Sequence, residues 1–352
     1  MVKMVEQFGI VVRHAKIDDI PRIKRIAAIH SKQLGFVNKA ALEESVYRKT
    51  LYVADYKNAL CVGFVNFYTR KDGWSTIYEI AVHPEAYNKG IGRRLLDAVP
   101  SPIRLKCTVD NPANEFYKKA HFRLVRTEAG RSRSLNVWER QHHYILCKGS
   151  SNVGLEVAKN THTTYGTRHT EIPRIQPYFV DIDWKDYDWL EYLMKIRAWK
   201  PVFAMAPDFT SLDQRSSLYQ AIRDLKQAGV LHIGVCPKFD GAVKYIPSFC
   251  RVCISIPSRY AGFLPDPKEL AGRKLHLLGG SPKKIKKYIE DNPSLNIISL
   301  DTNYQTKIAS WGVLYHADTN SWAQEMNTRG MNYLDVSIYN TQQIYKMLDS
   351  ID

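Results

Sequence analysis

Residues 80–95 constrain the fold more than any other stretch. They read Ile80-Ala81-Val82-His83-Pro84-Glu85-Ala86-Tyr87-Asn88-Lys89-Gly90-Ile91-Gly92-Arg93-Arg94-Leu95. Residues 76–82 are patterned as a strand, which the His-Pro step ends. Helical spacing then runs over residues 90–99 behind two glycines. Small residues at such a turn let backbone N–H groups approach a phosphate, and the helix N-terminus adds partial positive charge. Lys89, Arg93 and Arg94 add full charges.

A second motif follows at residues 109–122: Val109-Asp110-Asn111-Pro112-Ala113-Asn114-Glu115-Phe116-Tyr117-Lys118-Lys119-Ala120-His121-Phe122. The two segments together resemble the acetyl-CoA signature and the following Asn…Phe-Tyr…Phe helix of the GNAT N-acetyltransferases. The resemblance covers roughly residues 9–145. It implies a GNAT fold, a mixed and mostly antiparallel sheet with helices, and acetyl-CoA as cofactor. On that resemblance Ala81, Val82 and the stretch Tyr87, Asn88, Lys89, Gly90, Ile91, Gly92 and Arg93 hold the pantetheine and pyrophosphate, with Asn111 beside them. Tyr117 protonates the departing thiolate, and Glu79 is the general base, directly or through water. The plainer readings are a core aromatic for Tyr117 and a solvated strand residue for Glu79. Two positions depart from the family: Tyr87 stands where Arg or Gln is usual, and His121 replaces a Gly.

Beyond residue 170 the pattern becomes strand, polar loop, helix, repeated. Strands are predicted at 178–181, 203–206, 231–235, 252–256, 275–278, 297–300 and 311–314, with an eighth near 333–337. Such alternation implies a parallel α/β domain, an open sheet or a TIM-like (β/α) barrel, and the barrel is the reading adopted. Residues 149–172, rich in Gly, Ser, Asn, Thr and His, read as a linker. The expected organisation is therefore an acetyltransferase domain at 1–148, a linker at 149–172 and a barrel at 173–352.

Several carboxylates fall at predicted strand ends: Asp181 and Asp183, Asp208, and Asp301. In a (β/α) barrel, groups at the C-terminal strand ends converge on one mouth. Converging carboxylates suit glycosidic chemistry, one attacking the anomeric carbon and another moving the leaving group's proton. Helix N-capping is the plainer role for any one of them. The set Pro207-Asp208, His276-Leu277-Leu278-Gly279-Gly280-Ser281-Pro282 and the strand ending at Asp301 resembles the tRNA-guanine transglycosylase superfamily over residues 175–316. Its phage-type relatives that insert deazapurines into DNA are the nearest in pattern. That resemblance implies Asp301 as nucleophile toward C1′ and Asp181 or Asp183 as the acid that activates the base. It places Asp208, Gly279 and Gly280 against the base. The family's zinc site is missing, for no cysteine follows Cys253, and no metal is expected. The Ser-Gly-Gly-Phe that follows the family's first Asp is also missing.

The chain of 352 residues carries a formal charge of +15. Residues 1–148 hold 26 Lys and Arg against 14 Asp and Glu, so most of the excess lies there. A polyanionic partner fits, with DNA favoured over tRNA. Six cysteines at irregular spacing, no leader-like N-terminus and no long apolar run point to a cytoplasmic protein. Three functions remain open: a base-modifying enzyme, an aminoacyl-tRNA or protein N-acetyltransferase whose barrel only recognises the acceptor, and a non-catalytic nucleic-acid adaptor.

Overall fold

The computed structural model describes residues 9–147, 151–183, 185, 187–256 and 263–351. The chain forms two units, Met1–Gln141 and His142–Asp352.

In the first unit the strands are β1 (Ile10–His14), β2 (Leu51–Tyr56), β3 (Ala59–Thr69), β4 (Ser75–Val82), β5 (Ile103–Thr108), β6 (Arg123–Ala129) and β7 (Ser134–Arg140). They make one sheet in the order β1-β2-β3-β4-β5-β7-β6. Helices α1 (Ile20–Ile29), α2 (Ser31–Leu34) and α3 (Lys39–Tyr47) connect β1 to β2; α4 (Ile91–Ala98) follows β4 and α5 (Ala113–Lys119) follows β5. The buried face of α1 carries Ile20, Ile23, Ile26 and Ala27 and packs with Leu51, Val53 and Phe64. This is the helical spacing seen in the sequence.

Only β4 and β5 run parallel in this sheet, and they pair only over Ser75–Ile77 and Ile103–Leu105. Beyond that, β4 continues to Val82 along β3 and β5 to Thr108 along β7, without pairing to each other. A bulge on β4 starts the divergence: Asn66 of β3 faces Glu79 and Phe67 faces Ile77, so Tyr78 is the extra residue.

The second unit begins at once. Strand β8 (His143–Cys147) starts after Gln141 and His142 and belongs to the barrel, not to the first sheet. The helix α6 (Asn152–Thr161) and the strand β9 (Thr164–Arg168) occupy the stretch expected to be a linker. Then come β10 (Phe179–Asp181), α7 (Trp189–Trp199), β11 (Phe203–Met205), α8 (Arg215–Gln227), β12 (His232–Val235), β13 (Arg251–Ser255), β14 (Leu275–Leu278), α9 (Pro282–Asp291) and β15 (Ile297–Thr302). The strands close in the order β10-β11-β12-β13-β14-β15-β8-β9, all parallel.

The expected boundary at 148 is thus corrected, as are two predicted barrel strands. After α10 (Tyr304–Ala309), the strand β16 (Val313–His316) pairs with β17 (Ser321–Gln324) as a hairpin outside the barrel. Residues 333–337 open the long helix α11 (Tyr333–Asp349), where Asn332 and Asp335 form a capping box. Leu334 and Ile338 of α11 lie on the cluster of Leu146, Val157, Ala158 and Tyr165.

The barrel interior is crowded. A Cβ on Gly234 would come within 2.9 Å of Met205, Cys253 and Phe203, and one on Gly166 would meet Cys147 at 2.8 Å. Only glycine fits at either place. Phe179, Phe203 and His276 are fully buried there, with Arg251 nearly so.

Candidate functional site

In the first unit the glycine turn stands at the open end of the β4–β5 wedge. Asn88 (φ 57°) and Gly90 (φ 80°) are left-handed, and Gly90 caps α4. The first amides of α4 have no intrahelical acceptor. The N-terminus of helix α4 therefore stands beside the open end of the wedge. A Cβ at Gly92 would touch Phe116 at 3.5 Å and Val82 at 3.6 Å, which is ordinary contact, so neither backbone twist nor crowding within the chain requires glycine there. His30, at the end of α1, places Nε2 2.9 Å from the Val82 carbonyl and 3.3 Å from the Tyr87 hydroxyl. Sequence reading missed His30, since nothing local marks it.

Glu79 lies on β4, where Asn66 Nδ2 donates to its Oε2 at 2.7 Å. Burial raises its pKa and the Asn66 bond opposes the rise. Tyr117 is buried against Phe116, Phe122 and Trp138, and burial with Cys107 nearby holds the phenol firmly protonated. His121 has φ 61°, which explains the glycine usual at that place.

Two of the expected contacts are otherwise engaged. Arg93 Nε bonds Asp97 at 2.8 Å and its NH1 donates to the Lys119 carbonyl, so its side-chain charge is spent within the chain and only its backbone faces the turn. Asn111 Oδ1 accepts from Ala113 N at 2.9 Å, capping α5. Arg140 of β7 is buried and bonds Asp97 at 2.8 Å. Arg123, Arg126, Arg131 and Arg133 do lie exposed on the β6–β7 hairpin.

In the second unit, parallel strands bring their C-terminal ends to one side. Asp181 ends β10, Asp208 follows β11, Lys238 follows β12 and Asp301 lies near the end of β15. Burial, then the neighbouring Asp301 and Asp208, push Asp181 up to about 7. Burial also raises Asp208, against the opposing pull of Lys238, whose Nζ is 3.4 Å from Asp208 Oδ2. Asp301 faces three donors instead: His276 Nε2 at 3.3 Å from Oδ1, Gly279 N at 3.4 Å, and the Cys147 thiol of β8. The environments of Asp181 and Asp301 therefore differ in kind, one enclosed among like charges and one surrounded by donors.

Asp183 is not part of this group. Its Oδ1 accepts from Lys185 N at 3.1 Å and its amide meets His169 Nδ1, closing a local turn. Gly279 and Gly280 are both left-handed (φ 64° and 89°), and a Cβ on Gly280 would strike Ile256 at 2.7 Å. The Gly279 amide is directed at Asp301. Lys238, Cys147 and Arg168, which lowers Asp181, were missed. Lys238 follows Cys236-Pro237, a strand-end position that carried a signal; Cys147 lies in the stretch that the sequence reading gave to the first domain. Among the described residues no group of three His, Cys, Asp or Glu is placed to hold a metal, and no helix is long and apolar enough to cross a membrane.

The splayed parallel pair, the glycine turn and the helix behind it define a GNAT fold, and residues 47–124 match the model of the acetyltransferase (GNAT) domain. Residues 150–346 match the family of unknown function DUF6610, and the chain belongs to that family. No curated protein matches the chain. Similar solved structures include Ard1 from Thermoplasma volcanium (21% identity, 38% of this chain and 97% of that one, TM-score 0.33). The ribosomal-protein-S18-alanine N-acetyltransferase of Escherichia coli is another (16%, 37% and 92%, 0.30). A third is N-acetylglutamate synthase from Neisseria gonorrhoeae, complexed with coenzyme A and N-acetyl-glutamate (18%, 37% and 35%, 0.31).

Proposed function

We propose that the first unit transfers an acetyl group from acetyl-CoA to an amine. The observation that carries this is the parting of β4 from β5 after Ile77 and Leu105, with the amides of α4 and the left-handed Gly90 at its mouth. Backbone edges left without a strand partner need another one. A pantetheine arm presents amides to a strand, and a pyrophosphate suits a helix N-terminus. The residues present fit that group: Ala81, Val82 and Tyr87–Arg93 would hold it through their backbone, with Lys89 supplying side-chain charge. When bound, acetyl-CoA supplies an activated thioester. Glu79, kept basic by burial, removes the proton from the incoming ammonium, and the protonated Tyr117 is positioned to donate. Calorimetric titration with acetyl-CoA tests the reading. Saturable binding by the wild type, lost in a folded Gly92→Val variant, is the expected result; no binding by the wild type ends it.

For the second unit the unlike environments of Asp181 and Asp301 favour N-glycosidic chemistry on a nucleobase, DNA favoured. In this reading the barrel is TIM-like and transglycosylase-like. Asp301 attacks C1′ and Asp181 gives its proton to the departing base, while Asp208 and the Gly279-Gly280 turn meet the base. Together the units would make a nucleic-acid base-modification enzyme. Asp301→Asn should stop base release while acetyl-CoA binding persists. Unchanged base release by that variant removes Asp301 from the role. A wild type that leaves bases intact in DNA and tRNA would point to the acceptor-recognition barrel.

A further inference from the structure

We propose that His276 is a positioning residue of the barrel's carboxylate site: held as a neutral ring with its hydrogen on Nε2 by the buried chain Arg251–Ser299, it holds one N–H beside Oδ1 of Asp301. This rests on the reading of Asp301 as the carboxylate that meets the substrate.

The argument follows donors and acceptors from the interior outward. Arg251 NH1 donates to Ser299 Oγ at 3.1 Å, and a guanidinium cannot accept. Ser299 is 1% exposed, so its single hydrogen needs an acceptor inside the barrel. His276 Nδ1 lies 2.8 Å from that oxygen. Nδ1 therefore accepts, and the ring hydrogen belongs on Nε2. That nitrogen stands 3.3 Å from Asp301 Oδ1. The contact is not in line, as is common before a ligand draws such groups together.

Register makes the arrangement possible. His276 pairs with Ser299 across β14 and β15, and Asp301 is two residues further along the same inward face. Phe179 and Phe203 pack on the imidazole, with ring centroids at 5.4 and 5.0 Å. Burial disfavours the charged ring, Asp301 opposes that effect and Arg251 adds to it. A neutral N–H orients the carboxylate without cancelling its charge. An imidazolium would hold it as an ion pair and blunt its attack.

The test is made on the full chain with isotope-labelled histidine. The two-bond nitrogen–hydrogen correlation of His276, assigned with His276→Gln, reports which nitrogen carries the hydrogen. A hydrogen on Nε2 near neutral pH is expected. A hydrogen on Nδ1, or on both nitrogens, overturns the proposal. Base release gives the second readout. Gln can place an amide N–H where Nε2 stands and Phe cannot. His276→Phe should lose about 100-fold in kcat with KM little changed, and His276→Gln should stay within about 10-fold of wild type. Equal activity of the two variants overturns the positioning role. A wild type without base release removes the reading of Asp301, and the positioning role with it; the tautomer measurement still shows whether the Arg251–Ser299 chain sets the ring.

Discussion

Asp301 of β15 lies in register with Ile145 of β8. The carboxylate at the heart of the barrel thus sits against a strand that precedes residue 150, where the family's matched region begins. Strand β8 joins β15 to β9, so the barrel cannot close without it. A fragment spanning residues 142–352 should fold cooperatively, and one spanning 150–352 should not. Circular dichroism and urea melts decide it; a cooperative transition in the shorter fragment would show that β8 is dispensable.

In the first unit, Asp97 is the shared acceptor of Arg93 and the buried Arg140. Removing it leaves a buried guanidinium without its anion. Asp97→Ala should destabilise this unit by about 3–5 kcal/mol, measured by urea unfolding. A loss below about 1 kcal/mol would mean that the pair is solvated.

Asp181 offers a pH test. Its folded value of about 7 lies above the ordinary value of 3.8, so the native state holds a proton that the unfolded chain releases first. Stability should fall as pH rises between those values and level off above. Asp181→Asn lacks that slope. It should gain on wild type across the window by roughly 2–4 kcal/mol. A stability difference that stays constant with pH would show that Asp181 titrates normally.

The two glycines of the turn should separate cleanly. Gly90→Ala meets no steric obstacle but must hold φ near 80°, costing roughly 1–2 kcal/mol. Gly92→Ala should be nearly neutral for folding, since its Cβ finds ordinary contacts. Thermal melts of the two variants give the comparison, and a larger loss for Gly92→Ala contradicts it.

If the exposed hairpin meets nucleic acid, its affinity falls with salt. Replacing Arg131 and Arg133 with Gln should reduce the slope of log affinity against log salt by about 2. An unaltered slope moves the contact elsewhere.

The first unit was legible because its chemistry is local: Gly90, Gly92, Asn111 and Tyr117 lie in two short runs whose spacing matches their elements. The barrel's alternation was legible too, for six of its strands are short, mostly apolar runs between polar loops and helices. Strand β8 was not, because Arg140-Gln141-His142-His143 offers no Gly or Pro to mark where one sheet ends and another begins. Strand β9 reads as loop because its Thr and Gly residues suit a crowded interior that only the closed barrel creates. Residues 333–337 have strand-like composition, but the Asn332–Asp335 box that starts a helix was there to be read. Asp181 and Asp183 stand two residues apart, and only the folded barrel sets the first beside Asp301 and Asp208 while the second closes a local turn.

Phe179 and Phe203 pack with His276 in the barrel interior, behind the strand-end acids. On the proposed reading, a ligand that reacts at Asp301 would leave by the strand-end mouth through which its successor enters, so entering and leaving molecules would exclude one another. Exchange at such a site runs in alternation, one occupant at a time, and an excess of either species slows the other.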